Sequence, residues 1–265
     1  MHRLLAGLVA AMLIVTTASA QVPLNIFGAT LQEANQKTAE VSTEELKQIL
    51  ASGSAVVFDA RPPMEYAVSH IPGARNVAQK PDTPISLYVS DVAEIERQLP
   101  DHSAAIVLYC NGPFCGKSKR LSEELLAAGY TNVRRYQLGA PTWRALVGTM
   151  QIEQEGLQYV IDGDRTAWFL DARSADEFAS GSLSGARNVP AAEVVAAKDD
   201  GRLPMEDHNT RVVVFGANPE QARKAADVVA ANAFHNVTFY TGPIDGFLQM
   251  AGAPVAGTAE APGAR

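Results

Sequence analysis

The chain has 265 residues, 47% of them hydrophobic and 19% charged, with a net charge of −7. That is enough for one large domain or two ordinary ones, with enough apolar side chain for packed cores and too little charge for a disordered chain. The longest basic run is Lys117-Ser118-Lys119-Arg120, so the composition argues against a nucleic-acid partner, which needs a positive face.

Residues 1–20 read as a signal peptide. His2 and Arg3 precede an apolar stretch, Leu4 to Thr17, that is short for a bilayer span, and Ala18-Ser19-Ala20 is a small-residue cleavage signal. Cleavage after Ala20 predicts an exported protein, periplasmic or secreted, with no stable membrane insertion. Residues 21–40 are weakly patterned and read as a leader. Ser42 with Glu45 has the form of a capping box and opens a helix through Leu50. A buried strand follows over Ala55 to Phe58, then a helix over Met64 to Val68 after Pro62-Pro63. His70-Ile71-Pro72-Gly73 is a turn into a short strand at Arg75 to Val77. Gln79 to Ser90 reads as a loop and Asp91 to Gln98 as a helix. Ile106 to Tyr109 is a second buried strand, followed by the loop that holds both cysteines. Ser118 to Ala128 is a helix ending at Gly129, Val133 to Tyr136 a strand, and Pro141 to Val147 a helix. Residues 151–156 read as a polar linker. The same course then recurs, with strands at Ala167 to Leu170, Arg211 to Phe215 and Val237 to Tyr240. Helices are expected at Ser174 to Ser180, Pro219 to Asn232 and Ile244 to Met250, before a disordered tail over 253–265. Strands alternating with helices give an α/β fold with a mainly parallel sheet flanked by helices.

The recurrence is an internal repeat. Phe58-Asp59-Ala60-Arg61 with Gly73-Ala74-Arg75-Asn76-Val77 returns as Leu170-Asp171-Ala172-Arg173 with Gly185-Ala186-Arg187-Asn188-Val189. The domains are therefore 41–150 and 157–252. The offset between copies is 112 at Asp59, 106 at Tyr109 and 104 at Val133. The first drop places six extra residues in the first unit's middle loop, and the second places two in the cysteine loop. Cys110 follows the strand of the first unit, and Gly216 follows its copy. A thiolate is a nucleophile and a glycine is not, so thiol chemistry belongs to the first unit.

Asp59-Ala60-Arg61, Glu65-Tyr66, His70-Ile71-Pro72-Gly73-Ala74, Cys110 after an apolar strand, Gly129-Tyr130-Thr131-Asn132-Val133 and Trp143 together resemble the rhodanese superfamily, in a tandem arrangement over residues 41–252. The resemblance implies two α/β sheet domains, one of them lacking the cysteine. It also implies a persulfide on Cys110 that moves sulfane sulfur from a thiosulfate-like donor to cyanide or a thiol. In such a site Asn111, Gly112, Pro113, Phe114, Gly116, Lys117 and Ser118 would form an amide-lined anion cradle, aided by the start of the following helix. Asp59 and Arg61 would lie at the cleft edge, with an ion-pair or turn role preferred because both recur beside Gly216. His70 has Ser182 as its copy, which favours a turn hydrogen bond over catalysis. Trp143 and Phe247 read as core. The loop departs from the family pattern: six residues separate Cys110 from Lys117, where four and an arginine are usual. Lysine is a mobile point charge rather than a planar fork, which argues against efficient thiosulfate turnover and leaves the persulfide step intact.

Cys115 has three readings: a resolving thiol, a disulfide partner that blocks the site until reduced, or a loop thiol with no role. No cofactor is implied, and two cysteines without a His or carboxylate cluster at ligand spacing give no metal site. Two other functions stay open. One is a phosphatase or arsenate reductase, disfavoured because Gly116 stands where a Cys-X5-Arg loop needs arginine. The other is a non-enzymatic sulfur carrier, redox module or protein-binding module, with a periplasmic protein as partner.

Overall fold

The computed structural model describes residues 25–77 and 92–250, without the side chains of Phe247, Gln249 and Met250. The signal peptide, the loop over Gln79 to Ser90, the tail and the Phe247 side chain lie outside the described residues.

The first unit contains β1 (Ala39–Glu40), α1 (Thr43–Ser52), β2 (Val56–Asp59), α2 (Pro63–Val68), β3 (Arg75–Asn76), α3 (Val92–Gln98), β4 (Ile106–Tyr109), α4 (Gly116–Ala127), β5 (Val133–Tyr136) and α5 (Gly139–Leu146). The second contains β6 (Thr149–Ile152), α6 (Gln154–Gly163), β7 (Trp168–Asp171), α7 (Ala175–Ser180), β8 (Arg187–Asn188), α8 (Val194–Ala197), β9 (Val212–Phe215), α9 (Pro219–Ala231), β10 (Val237–Tyr240) and α10 (Ile244–Met250). Each unit is a five-stranded parallel sheet, ordered β1-β5-β4-β2-β3 and β6-β10-β9-β7-β8. The duplication read from the sequence is thus complete down to strand order.

The strands β4 and β9 are buried along their whole length, which is why Ile106 to Tyr109 and Val212 to Phe215 read as unbroken apolar runs. In the first sheet Val57, Val107, Tyr109 and Tyr136 pack with Leu46, Ile49 and Trp143 on one side. Phe58, Ile106, Leu108 and Val133 pack with Leu121, Leu125 and Tyr130 on the other. Ser42 caps α1 by accepting from the Glu45 amide. The reciprocal half of the expected capping box is absent, because the Glu45 carboxylate pairs with Arg134 at 2.6 Å. The helices α4 and α9 both end in a left-handed residue 104 positions apart, Gly129 (φ 97°) and Ala233 (φ 67°). This confirms that they align without a gap and that the extra length lies in the cysteine loop.

Residues 151–156 are not an irregular linker. Gln151 and Ile152 end β6, the edge strand of the second sheet, and α6 begins at Gln154. Met150 and Ile152 face inward while Gln151 and Glu153 stay half-exposed. The segment looks polar because only alternate residues are buried. It also holds the two units together. His70 and Gln151 exchange backbone hydrogen bonds of 2.9 Å, and the Glu153 amide donates to the Ala67 carbonyl at 2.7 Å. Here α6 crosses α2 with Gly156 against Ala67, leaving no space for a Cβ before the Ala67 carbonyl. A Gly156→Ala substitution is therefore expected to lower the unfolding free energy by about 2–3 kcal/mol, since the obstructing atoms are backbone. Gly163→Ala, in the same helix but with open space around it, is expected to be neutral or slightly stabilising. Denaturant titration of the two variants makes the comparison.

Candidate active site

Cys110 is the first residue beyond β4, at the carboxyl end of the parallel sheet, where α/β folds place their chemistry. It is 2% exposed. Its sulfur is bonded to that of Cys115, with the two Cα atoms 6.2 Å apart. This pairing is common to the resolving-thiol and disulfide-partner readings of Cys115, and it is not that of a free loop thiol. The ionised, reachable thiolate expected at Cys110 is not present in this form, because both sulfurs are consumed in one bond.

The loop folds to permit this closure. Gly112 takes φ 98°, and its carbonyl accepts from the Cys115 amide at 3.0 Å. Cys115 is then the N-cap of α4. The helix starts at Gly116, so Gly116, Lys117 and Ser118 form its first turn rather than loop. The Cys115 side chain caps no amide, and the opening amides of a helix have no partner within it, which leaves a site that favours negative charge beside the sulfurs. From the other side, the turn before α5 presses on the loop. The Ala140 amide donates to the Cys110 carbonyl at 3.0 Å. Gly139 (φ 69°) has no room for a Cβ against the backbone of Cys110 and Gly112. Asn111 donates to Glu65 Oε2 at 2.5 Å, tying the loop to α2. Pro113 is exposed, and Phe114 projects fully into solvent.

Lys119 and Arg120, the end of the basic run, have carboxylate partners. Lys119 Nζ lies 2.7 Å from Glu33, and Arg120 lies 3.4 Å from Glu124. Glu33 also accepts from Arg135 at 3.1 Å and Gln137 at 2.8 Å. Nothing in the weak patterning of the leader announced this anchor.

Asp59 and Arg61 are not at a cleft edge. They are 0% and 4% exposed, beneath the loop. Arg61 reaches Asp59 Oδ1 through Nε at 3.0 Å and Asp59 Oδ2 through a terminal nitrogen at 2.5 Å, and that nitrogen also donates to the Ser69 carbonyl at 2.6 Å. Burial alone would lower the Arg61 pKa, but the attraction and hydrogen bonds of Asp59 outweigh it and raise it. Asn76 donates to the carbonyls of both Asp59 and Arg61. Asp171, Arg173 and Asn188 repeat the arrangement in the second unit, with Gly181 in the role of Ser69. A motif present beside Gly216 as well as Cys110 is a strand-end brace. His70 behaves as its sequence context suggested, with Nδ1 3.0 Å from the Tyr66 carbonyl and the ring stacked on Tyr66. Burial drives its pKa down to about 4. Its Nε2 lies 3.4 Å from Glu153 without hydrogen-bond geometry, as a neutral ring should. Trp143 is core, with Nε1 donating to the Thr149 carbonyl.

The second unit closes the corresponding place with its own side chains. Asn218 caps α9 by accepting from the Gln221 amide, and Gln221 Oε1 accepts from the Ala217 amide. A Cβ on Gly216 would meet Gln221 Oε1 and the Ala222 amide. The place of the missing cysteine is thus taken by the Gln221 side chain, which would have to move for a Cβ at position 216.

The model of the Rhodanese-like domain matches twice, over residues 42–146 and 154–250. The chain belongs to the rhodanese-like family. Among curated proteins this rhodanese-like chain is similar to thiosulfate:glutathione sulfurtransferase of Saccharomyces cerevisiae, 29% identical over 111 residues, which is 38% of this chain and 75% of that protein. Among solved structures it is similar to thiosulfate sulfurtransferase from Pseudomonas aeruginosa, at 22% identity and TM-score 0.37, covering 83% of this chain and 44% of that one. A rhodanese-like domain from an Anabaena sp. protein matches 43% of this chain and 86% of its own, at 19% identity and TM-score 0.37.

Proposed function

We propose that the protein is an exported sulfurtransferase whose first unit carries sulfane sulfur on Cys110 and is held inactive by the Cys110–Cys115 disulfide until a thiol opens it. The observation that carries the reading is the cysteine pair itself, set between the end of β4 and the uncapped start of α4 in one unit and missing from the other. The similarity to a thiosulfate:glutathione sulfurtransferase supports thiosulfate as donor and a low-mass thiol as acceptor. The apolar N-terminal stretch ending in Ala18-Ser19-Ala20 supports export, into a compartment where such a disulfide persists.

The chemistry has three steps. Two reductant thiols open the disulfide, becoming a disulfide themselves and leaving both protein sulfurs reduced. The Cys110 thiolate then attacks the outer sulfur of thiosulfate. The S–S bond of the donor breaks, and sulfite leaves with the electron pair. A thiolate or cyanide next attacks the outer sulfur of the Cys110 persulfide, forming a persulfide or thiocyanate and returning the thiolate. Cys115 opens a side branch: its thiolate attacks the Cys110 sulfur, expels hydrosulfide and restores the disulfide. The helix-start amides favour every anion on this path, and Lys117 supplies a cation in place of the usual arginine.

A second reading, a thiol–disulfide exchange module, is favoured by the same bond and by the exposed Phe114 beside it. Intact-mass measurement separates the two. Reduced protein treated with thiosulfate is expected to gain the mass of one sulfur atom at Cys110 and to lose it to cyanide as thiocyanate. Oxidised protein is expected to gain nothing. No gain in the reduced protein, with the disulfide still exchanging with added thiols, would reject sulfur transfer and leave the redox module.

A further inference from the structure

The two units treat one groove differently. In the first unit the groove beside α4 and the carboxyl end of β5 receives the Glu33 carboxylate, held by Lys119, Arg135 and Gln137. The Lys119 hydrogen bond leads in lowering the Glu33 pKa. Arg135 and Gln137 are each 5% exposed, while the side chains of Glu33 and Lys119 are 35% and 40% exposed, so the carboxylate sits at the mouth of the groove on two buried donors. The counterparts of those three donors, 104 positions later, are Arg223, Phe239 and Thr241. No carboxylate reaches them from the chain leading into β6, which has none between Gly139 and Ile152.

What lies there instead is a cavity of about 820 Å³ between the units. That is within the roughly 300–1,000 Å³ of small-molecule sites. Arg223, Phe239 and Thr241 form its second-unit wall. The first unit contributes an apolar floor that includes Leu50, Val57 and Trp143, and adds Lys47 and Arg75 at the rim. The rim thus holds three exposed cations, Lys47, Arg75 and Arg223, against one carboxylate, Glu220. Lys47 lies over the Phe27 ring and Arg223 over the Phe239 ring, at 5.6 and 5.7 Å, and their carboxylate partners are loose. Lys47 lies 3.7 Å from Glu44, and Arg223 lies 3.8 Å from Asp227, whose other oxygen accepts from Thr149 at 2.6 Å.

We infer that this cavity binds a small organic anion with an apolar body, an aromatic or aliphatic sulfonate or carboxylate. Its acid group takes the role in the second unit that Glu33 has in the first, and its body lies on Trp143, Leu50 and Phe239. The position separates it from sulfur transfer. The cavity meets the amino end of β2 at Ala55, Val56 and Val57, whereas Cys110 lies past the carboxyl end of β4, at the other end of the same parallel sheet. The second unit thereby has a task of its own, and a ligand there bridges both units.

Isothermal titration of the full chain with naphthalene-2-sulfonate tests the site. Saturable one-to-one binding is expected, equal in oxidised and reduced protein and unchanged by Cys110→Ser. The neutral analogue 2-naphthol is expected to bind more weakly. An Arg75→Gln, Arg223→Gln double variant is expected to lose at least about fivefold in affinity, as two exposed charge contacts would supply. Circular dichroism of that variant, expected to match the parent, shows that the fold is kept. Absence of saturable binding up to millimolar ligand, or equal affinity in the double variant, overturns the inference. Neither result bears on the thiocyanate assay, so the two readings fail separately.

Discussion

Replacing Cys115 by serine is expected to release the protein from its need for a reductant, while Cys110→Ser abolishes sulfur transfer under every condition. Both follow from the asymmetry of the pair. In the disulfide form Cys110 is 2% exposed between the end of β4 and the turn at Gly139, whereas Cys115 is partly exposed at the head of α4. In the untreated protein neither sulfur is a nucleophile, so turnover of thiosulfate and cyanide starts near zero and rises only after a thiol is added. Without Cys115 no intramolecular bond can form, and Cys110 stands reduced at the amide-lined helix start. Thiocyanate formation then begins without pretreatment. The persulfide also lasts longer, because the sulfur that would expel hydrosulfide is gone. Serine at position 110 cannot take up a sulfane sulfur at neutral pH, and the expected loss is at least about a thousandfold. The measurement is initial thiocyanate rate for parent, Cys110→Ser and Cys115→Ser, each with and without dithiothreitol. A Cys115→Ser protein that still requires reductant, or a Cys110→Ser protein that retains turnover, would refute the assignment of roles.

The same asymmetry explains what was legible in the chain. Strands buried on both faces were readable end to end: Ile106–Tyr109, Val133–Tyr136 and Val237–Tyr240 coincide with the sequence reading. For Ile106–Tyr109 the signal is a continuous apolar run set by the parallel architecture, whereas Val133–Tyr136 and Val237–Tyr240 carry arginines or a threonine between apolar ends and are marked by the repeat. The helix ends at Gly129 and Ala233 were recoverable because the repeat fixes their spacing. The edge strand β6 was not, since four residues, Thr149 and Gln151 among them, carry too little periodicity and its partner β10 is far along the chain. The alternation of Met150 and Ile152 with Gln151 was the signal available. The Cys110–Cys115 bond was legible only as one of three options, because closure depends on Gly112 adopting φ 98° and on α4 starting at Gly116. Glu33 could not be assigned at all: its partners Lys119, Arg135 and Gln137 converge only after the leader crosses α4 and β5.

Asp59→Asn is expected to destabilise the first unit by about 3–5 kcal/mol, the usual consequence of removing one member of a buried ion pair. For a unit of this size that lowers the melting temperature by at least about 12 °C. The asparagine keeps the shape and one acceptor oxygen but removes the charge, leaving the Arg61 guanidinium desolvated with only the Ser69 carbonyl as a full partner. The damage would also reach the sulfur chemistry. The Ala60 amide bonds the Tyr109 carbonyl at 2.9 Å, and the Tyr109 hydroxyl accepts from the Ile71 amide at 3.1 Å, so the brace fixes the residue immediately before Cys110. Asp171→Asn is expected to destabilise the second unit similarly, because the Arg173 geometry is the same, and to leave the Cys110 loop in place. Differential scanning calorimetry with the thiocyanate assay distinguishes the two. A double Asp59→Leu, Arg61→Met variant is expected to recover much of the lost stability, since no isolated charge remains. If the double variant is as unstable as Asp59→Asn, the hydrogen bonds to Ser69 and Asn76, rather than the charge pair, hold the strand ends together. If Asp59→Asn melts with the parent, the pair is no brace and the position of Cys110 has another support.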